Sequence, residues 1–315
     1  MTFKVDCMLK SQQPGTKPVI ATFQLTYPRA ILHEEFMTHR ALSRNATSSR
    51  ATPVSTMIKN IQLDPAIPSV WGVEKKGMSD GGAMSEEGAK EARRLFLKAR
   101  DNAILVCSDM LRAKECPHKQ ILNLLLRPWE HITVVTTATE WANFFALRTD
   151  LGAKPEFQIL SNMMWQAYKE KPTQLLKPGE WHLPYIYDHE IDTMLLSKDK
   201  DAALTNLIKV SAARCARTSY KNFRGKVVTF EEEMALYERL MGSHPLHASP
   251  TEHQATPDTS RVIMQGNKVV RQWDHPHLHG NFVGFQQYRK MLPGENITVF
   301  NPPEPEVQAA EEEAA

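Results

Sequence analysis

Between Val19 and Tyr27 apolar and polar positions alternate (VIATFQLTY), with β-branched and aromatic side chains prominent. That pattern predicts a β-strand, closed by Pro28. From Arg29 to Ser43 the period lengthens. Ala30, Ile31, Met37, Ala41 and Leu42 fall on one side of a wheel of about 3.6 residues per turn, with Phe36, His39, Arg40 and Ser43 on the other, which predicts a helix. Asn45–Pro53 (NATSSRATP) reads as a loop, with Pro53 barring an easy return to helix. Residues 64–85 hold Pro, Gly and Ser and read as a long surface loop. Helices are expected over Glu86–Leu111, over His118–Leu126 (stopped by Pro128), over Glu140–Leu147 and over Glu156–Glu170 (closed by Pro172), with a strand at Ile132–Thr136. Pro178–Tyr187 (PGEWHLPYIY) is an irregular aromatic linker. Ala202–Cys215 reads as helical, and so does Thr229–Met241, where Thr229 and Glu232 fit a capping box and Gly242 fits the residue after the helix.

The chain has 315 residues, enough for one large domain or two small ones. Hydrophobic residues at 42% and charged residues at 23% describe an ordinary soluble globular protein. The net charge of +2 hides an asymmetry: Asn301–Ala315 carries five Glu and no base, so the rest of the chain is +7. A mildly basic body suits small anionic ligands better than a nucleic-acid duplex. The Pro/Glu/Ala-rich stretch over 301–315 reads as a disordered acidic tail. Cys7, Cys107, Cys116 and Cys215 are scattered without CxxC spacing and read as free thiols. Met1–Lys10 has no apolar run of a signal peptide, and no stretch approaches the ~20 apolar residues of a membrane span. The expectation is a cytoplasmic protein.

The chemistry concentrates in Thr38–Arg50 (THRALSRNATSSR). His39, Arg40, Arg44 and Arg50 stand among Ser43, Asn45, Ser48 and Ser49. Arginine forks flanking a hydroxyl-rich turn suit a phosphate; a solvated helix end with capping residues explains the same composition. Elsewhere His275, His277 and His279 (HPHLH) have no carboxylate or Cys convincingly clustered with them in sequence, and no metal site is expected. Trp165, Trp181 and Tyr185 read as core or interface aromatics. Tyr288 and Arg289 fit either a ligand contact or a packed C-terminal helix.

His39, Arg40, Ser43, Asn45, Ser48 and Arg50 together spell HRxxSxNxxSxR, and at these positions the chain resembles the flavin-dependent thymidylate synthases, the ThyX family. Thr38 stands where the family usually has Arg, and Ala46 where it often has Glu. Thr137–Arg148 (TATEWANFFALR) resembles the family's second block, ending NFxxLR, with Thr137 and Thr139 at its usual Asn and Arg. Ala212–Tyr220 (AARCARTSY) resembles its AARxSF/Y start, and His247–His253 (HASPTEH) its HxSPFEH segment, with Thr251 for Phe. Those last blocks ordinarily precede HRxxS; here they follow it, an order that reads as a circular permutation or as a branch of the family with that order. Gly280–Glu295 (GNFVGFQQYRKMLPGE) resembles the C-terminus of longer, often phage-encoded, relatives.

The resemblance implies an α+β fold, a twisted and mainly antiparallel sheet flanked by helices. It implies one catalytic domain over residues 1–300 with a helical insertion at about 55–115, assembled as a homotetramer with shared sites. It implies transfer of a one-carbon unit from methylenetetrahydrofolate to C5 of a pyrimidine deoxynucleotide, foremost dUMP to dTMP, with FAD reduced by NADPH. Methylation or hydroxymethylation of dCMP or dUMP is the variant reading, and a non-catalytic nucleotide or nucleic-acid binding module the reading of another class. Carried over by position, His39, Arg40, Ser43, Asn45, Asn143, Ser219, Ser249 and Glu252 would bind FAD. Ser48, Ser49, Arg50 and Arg148 would bind the nucleotide, and Arg148, His247 and Ser48 would act in catalysis. The partners implied are small molecules, with no membrane and no nucleic acid.

Overall fold

The computed structural model describes residues 2–31, 39–48, 50–77, 81–218, 227–243 and 246–299. The chain opens with β1 (Lys4–Gln12) and β2 (Val19–Pro28), paired antiparallel from Lys4 opposite Thr26 to Gln12 opposite Val19. The short strand β3 (Ser43–Ala46) comes next, then α1 (Val54–Leu63), α2 (Glu86–Arg112) and α3 (Lys119–Leu126). β4 (His131–Ala138) pairs antiparallel with both β2 and β3. α4 (Trp141–Arg148) and α5 (Pro155–Glu170) precede β5 (Gln174–Leu175), which adds parallel to β1. The sheet therefore runs β3-β4-β2-β1-β5, antiparallel except at its last pair.

Both faces of the sheet are covered. On one face Phe23, Leu25 and Val134 pack with Trp141, Phe144 and Phe145 of α4 and with Phe157, Leu160 and Met164 of α5. Each such side chain, fully buried, stabilises the fold by about 1.5–3 kcal/mol relative to exposure. The opposite face meets Tyr185 and Cys215 through Val135. There α7 (Lys200–Arg217) lies against the sheet, and α6 (Asp188–Leu195) and α8 (Phe230–Met241) pack on α7. Glu233 of α8 is 1% exposed and accepts from Arg214 Nε at 3.3 Å and from Arg217, while Arg214 also clamps Glu190 of α6 at 2.8 and 2.9 Å. The two arginines of AARCARTSY thus brace three helices. β6 (Ala255–Pro257) lies between α8 and a hairpin of β7 (Ser260–Gln265) and β8 (Lys268–Trp273), and pairs with β9 (Phe285–Gln287). The insertion has a core of its own, from Val54, Met57 and Ile61 to Ile104, Cys107, Leu122, Leu126 and Trp129.

The mixed α+β class and the mainly antiparallel sheet are as the family resemblance implies. Several elements differ. The helix expected to run through Ser43 has ended before that residue, because 43–46 pair with Ala138's strand from Ser43–Thr137 to Ala46–Val134. The stretch 32–38 lies outside the described residues; 39–42 is turn and loop, so His39 and Ser43 do not share a helix face. Pro53 does not bar a helix but sits at the N-cap of α1 with φ −60, where its missing N–H costs nothing. β1 and α6 were not foreseen. Gly242 closes α8 in a right-handed conformation (φ −85) rather than the left-handed one. Pro276–Leu278 is a single 3-10 turn, as is Tyr288–Met291, where a packed C-terminal helix was one of two readings. The acidic tail lies outside the described residues.

Candidate active site

β3 is an edge strand, and its position decides where the motif residues go. Ser43 is 1% exposed; its hydroxyl donates to Asn281 Oδ1 at 3.1 Å and accepts from Gln287 Nε2 at 3.3 Å. Asn281 in turn donates from Nδ2 to Ala41 O at 3.0 Å, and Gln287 Nε2 to Glu252 O at 3.1 Å. The 280–290 segment is thereby laced to the 41–43 loop on one side and to the HASPTEH turn on the other. The Asn45 amide lies 3.3 Å from His253 Nε2.

Three clefts surround this strand. The first, about 410 Å³, is lined by His39, Arg40, Glu140, Asn143, Phe144, Leu147 and Arg148. Arg148 Nε donates to His39 Nε2 at 2.8 Å, so the imidazole is neutral with its proton on Nδ1. Burial pushes the His39 pKa down to about 4, and the adjacent Arg148 guanidinium adds to the effect. The His39 ring stands edge-on to Phe144 at 5.0 Å, and the Arg148 guanidinium lies over Phe157 at 5.2 Å. Two aromatic rings therefore orient a cation–imidazole pair at the cleft wall.

The second cleft, about 500 Å³, shares Arg40 and Leu42 with the first and is lined further by Arg44, Glu252, Gly280, Gln287, Arg289 and Lys290. Arg289 bridges Glu252 and Glu295 (the latter at 2.8 Å), and Lys290 reaches Glu295 at 2.6 Å. Counting Glu295 through its ion pairs, four cations stand against two carboxylates, an excess of two positive charges. Gly280 (φ +61) is required there, since a Cβ would come 2.4 Å from Gln287 Oε1.

The third, about 250 Å³, lies beyond the other end of β3 and is lined by Arg29, Thr47, Ser48, Arg50, Gln120, Leu124 and Arg127. Arg29 is held by the buried Glu130 through Nε and, at 3.2 Å, through Nη2. Ser48 Oγ accepts from the Arg50 N–H at 3.2 Å.

Among the residues singled out from sequence, His39, Arg40, Asn143 and Arg148 line one cleft, Arg40 and Glu252 its neighbour, and Ser48 and Arg50 the third. Among the described residues, none of these three clefts brings Arg148 together with Ser48 and Arg50. Ser43 is sealed behind Asn281 and Gln287. Ser249 is exposed, and its carbonyl lies 3.1 Å from the Asn45 amide. His247 is exposed, lines none of the three clefts, and has its N–H bonded to Ser243 Oγ at 3.1 Å. Ser49 and Ser219 lie outside the described residues. His275 Nδ1 and His279 Nε2 do have a carboxylate partner, the buried Asp258, at 2.8 and 2.9 Å. Among the described residues no group of three or more His, Cys, Asp or Glu is disposed to hold a metal ion.

Residues 16–172 match the family model described as Thy1, Thymidylate synthase complementing protein. The chain belongs to this family. Thy1 membership makes it a thymidylate synthase-like methyltransferase. The match runs from the turn before β2 to the end of α5 and takes in both HRxxSxNxxSxR and NFxxLR; AARCARTSY and HASPTEH lie beyond it. No curated protein matches. Two solved structures of a UMP/dUMP methylase PolB from Streptomyces cacaoi show a likeness. The one bound with 5-Br UMP has 16% identity and a TM-score of 0.44, covering 54% of this chain and 90% of that one. The one bound with 5-Br dUMP has 15% identity and a TM-score of 0.42, covering 54% and 91%.

Residues the motif did not point to complete the site: Asn281 and Gln287, which lace the loop, and Gln120 and Arg127, which α3 and the turn after it bring to Ser48. The only signal for the former was the GNFVGFQQYRK likeness. None existed for the latter, since Arg127 lies 77 residues beyond Arg50.

Proposed function

We propose that this Thy1-family chain transfers a one-carbon unit from methylenetetrahydrofolate to C5 of a pyrimidine deoxynucleoside monophosphate, foremost dUMP to give dTMP. FAD, reduced by NADPH, supplies the hydride. The observation that carries the reading is the pair of clefts meeting at Arg40. One is polar and aromatic-walled around His39, Asn143 and Arg148; the other has a two-charge cationic excess around Arg40, Arg44 and Glu252. The donor set of the second suits the diphosphate of FAD, with Arg40 and Arg44 as its holders.

The chain's own groups divide the remaining work. Ser48 and Arg50, with Arg127 and Gln120 beside them, hold the nucleotide phosphate. Arg148 faces the base and stabilises charge developing on a pyrimidine carbonyl. Its hydrogen bond to neutral His39 keeps the guanidinium aimed into the cleft. Because Ser48 and Arg50 stand at one end of β3 and Arg148 beyond the other, we read the working site as shared between subunits of a homotetramer, with His247 and Ser249 supplied at that junction. We read residues 1–300 as one catalytic domain with its blocks in permuted order and the helical insertion as an addition to its phosphate side. Ala46 lacks the carboxylate that Glu would place beside the nucleotide, and for that reason dCMP is the second substrate to test, with methyl or hydroxymethyl as the group transferred.

The test is on purified protein. Under this reading it carries FAD and oxidises NADPH faster when dUMP or dCMP is added with the folate. A colourless protein that binds oligonucleotides with a steep salt dependence would overturn it in favour of a binding module.

A further inference from the structure

Beneath the site runs a continuous file of buried side chains that the proposed chemistry does not use. Ser11 Oγ lies 3.2 Å from Gln174 Oε1 and 2.8 Å from His182 Nδ1. His182 Nε2 lies 2.8 Å from Thr22 Oγ1, which lies 2.6 Å from Thr137 Oγ1, its partner across β2 and β4. Thr137 Oγ1 is 2.9 Å from His253 Nδ1, and His253 Nε2 is 3.3 Å from the Asn45 amide. Ser11, His182, Thr22, Thr137 and His253 are each fully buried. The file crosses the sheet from β5 to β3 and ends on a motif residue.

Donor and acceptor rules give the file a single direction. Burial pushes both histidines down to about 3, so each is neutral, with one N–H and one bare nitrogen. At the Asn45 end, one amide group faces the carbonyl oxygens of Ser249 at 3.1 Å and Arg44 at 3.0 Å, as well as His253 Nε2. Two carbonyl oxygens only accept, so that group is the NH₂ and His253 Nε2 is bare. The His253 proton is then on Nδ1 and goes to Thr137 Oγ1. Thr137 O–H goes to Thr22, and Thr22 O–H to His182 Nε2. His182 donates from Nδ1 to Ser11, and Ser11 O–H to Gln174 Oε1. From His253 Nδ1 to Gln174 every link has one donor and one acceptor, and reversing any one of them alone sets two donors or two acceptors face to face; at Asn45 the two N–H groups are shared among Ser249 O, Arg44 O and His253 Nε2.

We propose that this file is a positioning device that helps hold the Asn45 amide with its NH₂ toward Ser249, Arg44 and His253, which leaves its carbonyl oxygen able only to accept and selects a ligand group bearing N–H or O–H at that point. Resting on the flavin reading, the selected group is an N–H of the cofactor's ring systems or a hydroxyl of its ribityl or ribose chain. His253, Thr137, Thr22 and His182 act through Asn45 and touch no ligand themselves. Thr136, one residue from Thr137, is buried with its hydroxyl unpartnered by any hydrogen bond, and supplies an internal control.

The experiment is nitrogen NMR of the imidazoles in isotopically labelled full-length protein, paired with FAD titration, on wild type, Thr22→Val, Thr22→Ser and Thr136→Val. In wild type both His182 and His253 are expected as pure Nδ1–H tautomers. Thr22→Val removes two links without changing shape: His253 should gain Nε2–H population, and FAD affinity should fall by about fivefold, the worth of one neutral hydrogen bond. Thr22→Ser should restore both readouts and Thr136→Val leave both unchanged. A wild-type Nε2–H tautomer at either histidine would overturn the lock. So would Thr22→Val with tautomers and FAD affinity intact, or Thr136→Val shifting them equally. Wild-type tautomers as expected in a protein that takes up no FAD would uphold the lock and refute the flavin reading instead.

Discussion

Two neutral histidines sealed under the sheet make acid the sharpest perturbation of this fold. His182 and His253 are fully buried, and burial brings each to about 3, against about 6.5 in an unfolded chain. The folded-state values are depressed, so the stability is complete above the unfolded pKa and is lost as pH falls toward the folded one. Between pH 7 and pH 5 the unfolded chain binds nearly one proton at each position and the folded chain almost none, which removes about 2 kcal/mol per histidine and about 4 kcal/mol for the pair. That is a large share of the roughly 5–15 kcal/mol that holds a typical domain together. His39 and His131, also pushed down by burial, add in the same direction. Glu130, pushed up by burial, opposes them. Asp258, held at about 2 by hydrogen bonds from His275, His279 and Gln286 against its burial, responds only below about pH 4, outside this window. The assay is urea unfolding at pH 7, 6 and 5, with His182→Gln as comparison, which should lose roughly half of the pair's pH dependence. Stability that is flat or rising from pH 7 to pH 5 would refute the placement of two neutral imidazoles in that layer.

Arg50→Ala should weaken nucleotide binding by about 10-fold to 150-fold, the worth of hydrogen bonds to a charged group, while FAD stays bound. Isothermal titration with dUMP and with FAD checks it, and loss of FAD with nucleotide affinity intact would reverse the assigned roles. Glu233→Ala leaves Arg214 and Arg217 facing a buried gap and should destabilise the protein by about 3–5 kcal/mol in urea or thermal unfolding. Gln287→Ala removes a shared donor from Ser43 and the Glu252 carbonyl; the 41–43 loop should exchange its amide hydrogens faster, and FAD affinity should fall while nucleotide affinity holds.

The family was legible in the sequence because its signature sits in short, ordered motifs. His39, Arg40, Asn143 and Arg148 do line one cleft, although they come from segments about a hundred residues apart. The shape of the motif was less legible. The helical period of Ala30, Ile31, Ala41 and Leu42 runs on through Ser43, and only pairing with β4, more than eighty residues later, turns 43–46 into a strand. A four-residue edge strand has too little pattern to announce itself. Pro53 was misread because its position relative to a helix start, not its presence, decides whether it breaks or begins one. Asp258 beside His275 and His279, Arg289 beside Glu252, and the file from Gln174 to Asn45 are tertiary contacts across separations that periodicity does not reach.

In the proposed function the clefts joined at Arg40 serve one-carbon transfer to a pyrimidine ring. Mass analysis of the nucleotide recovered after incubating the protein with FAD, NADPH and methylenetetrahydrofolate, with dUMP or dCMP in separate reactions, tests it most directly. The expected product is a nucleotide heavier by one carbon unit at C5, formed only when folate and reductant are both present. Unchanged dUMP and dCMP from protein that has bound FAD and nucleotide would contradict it.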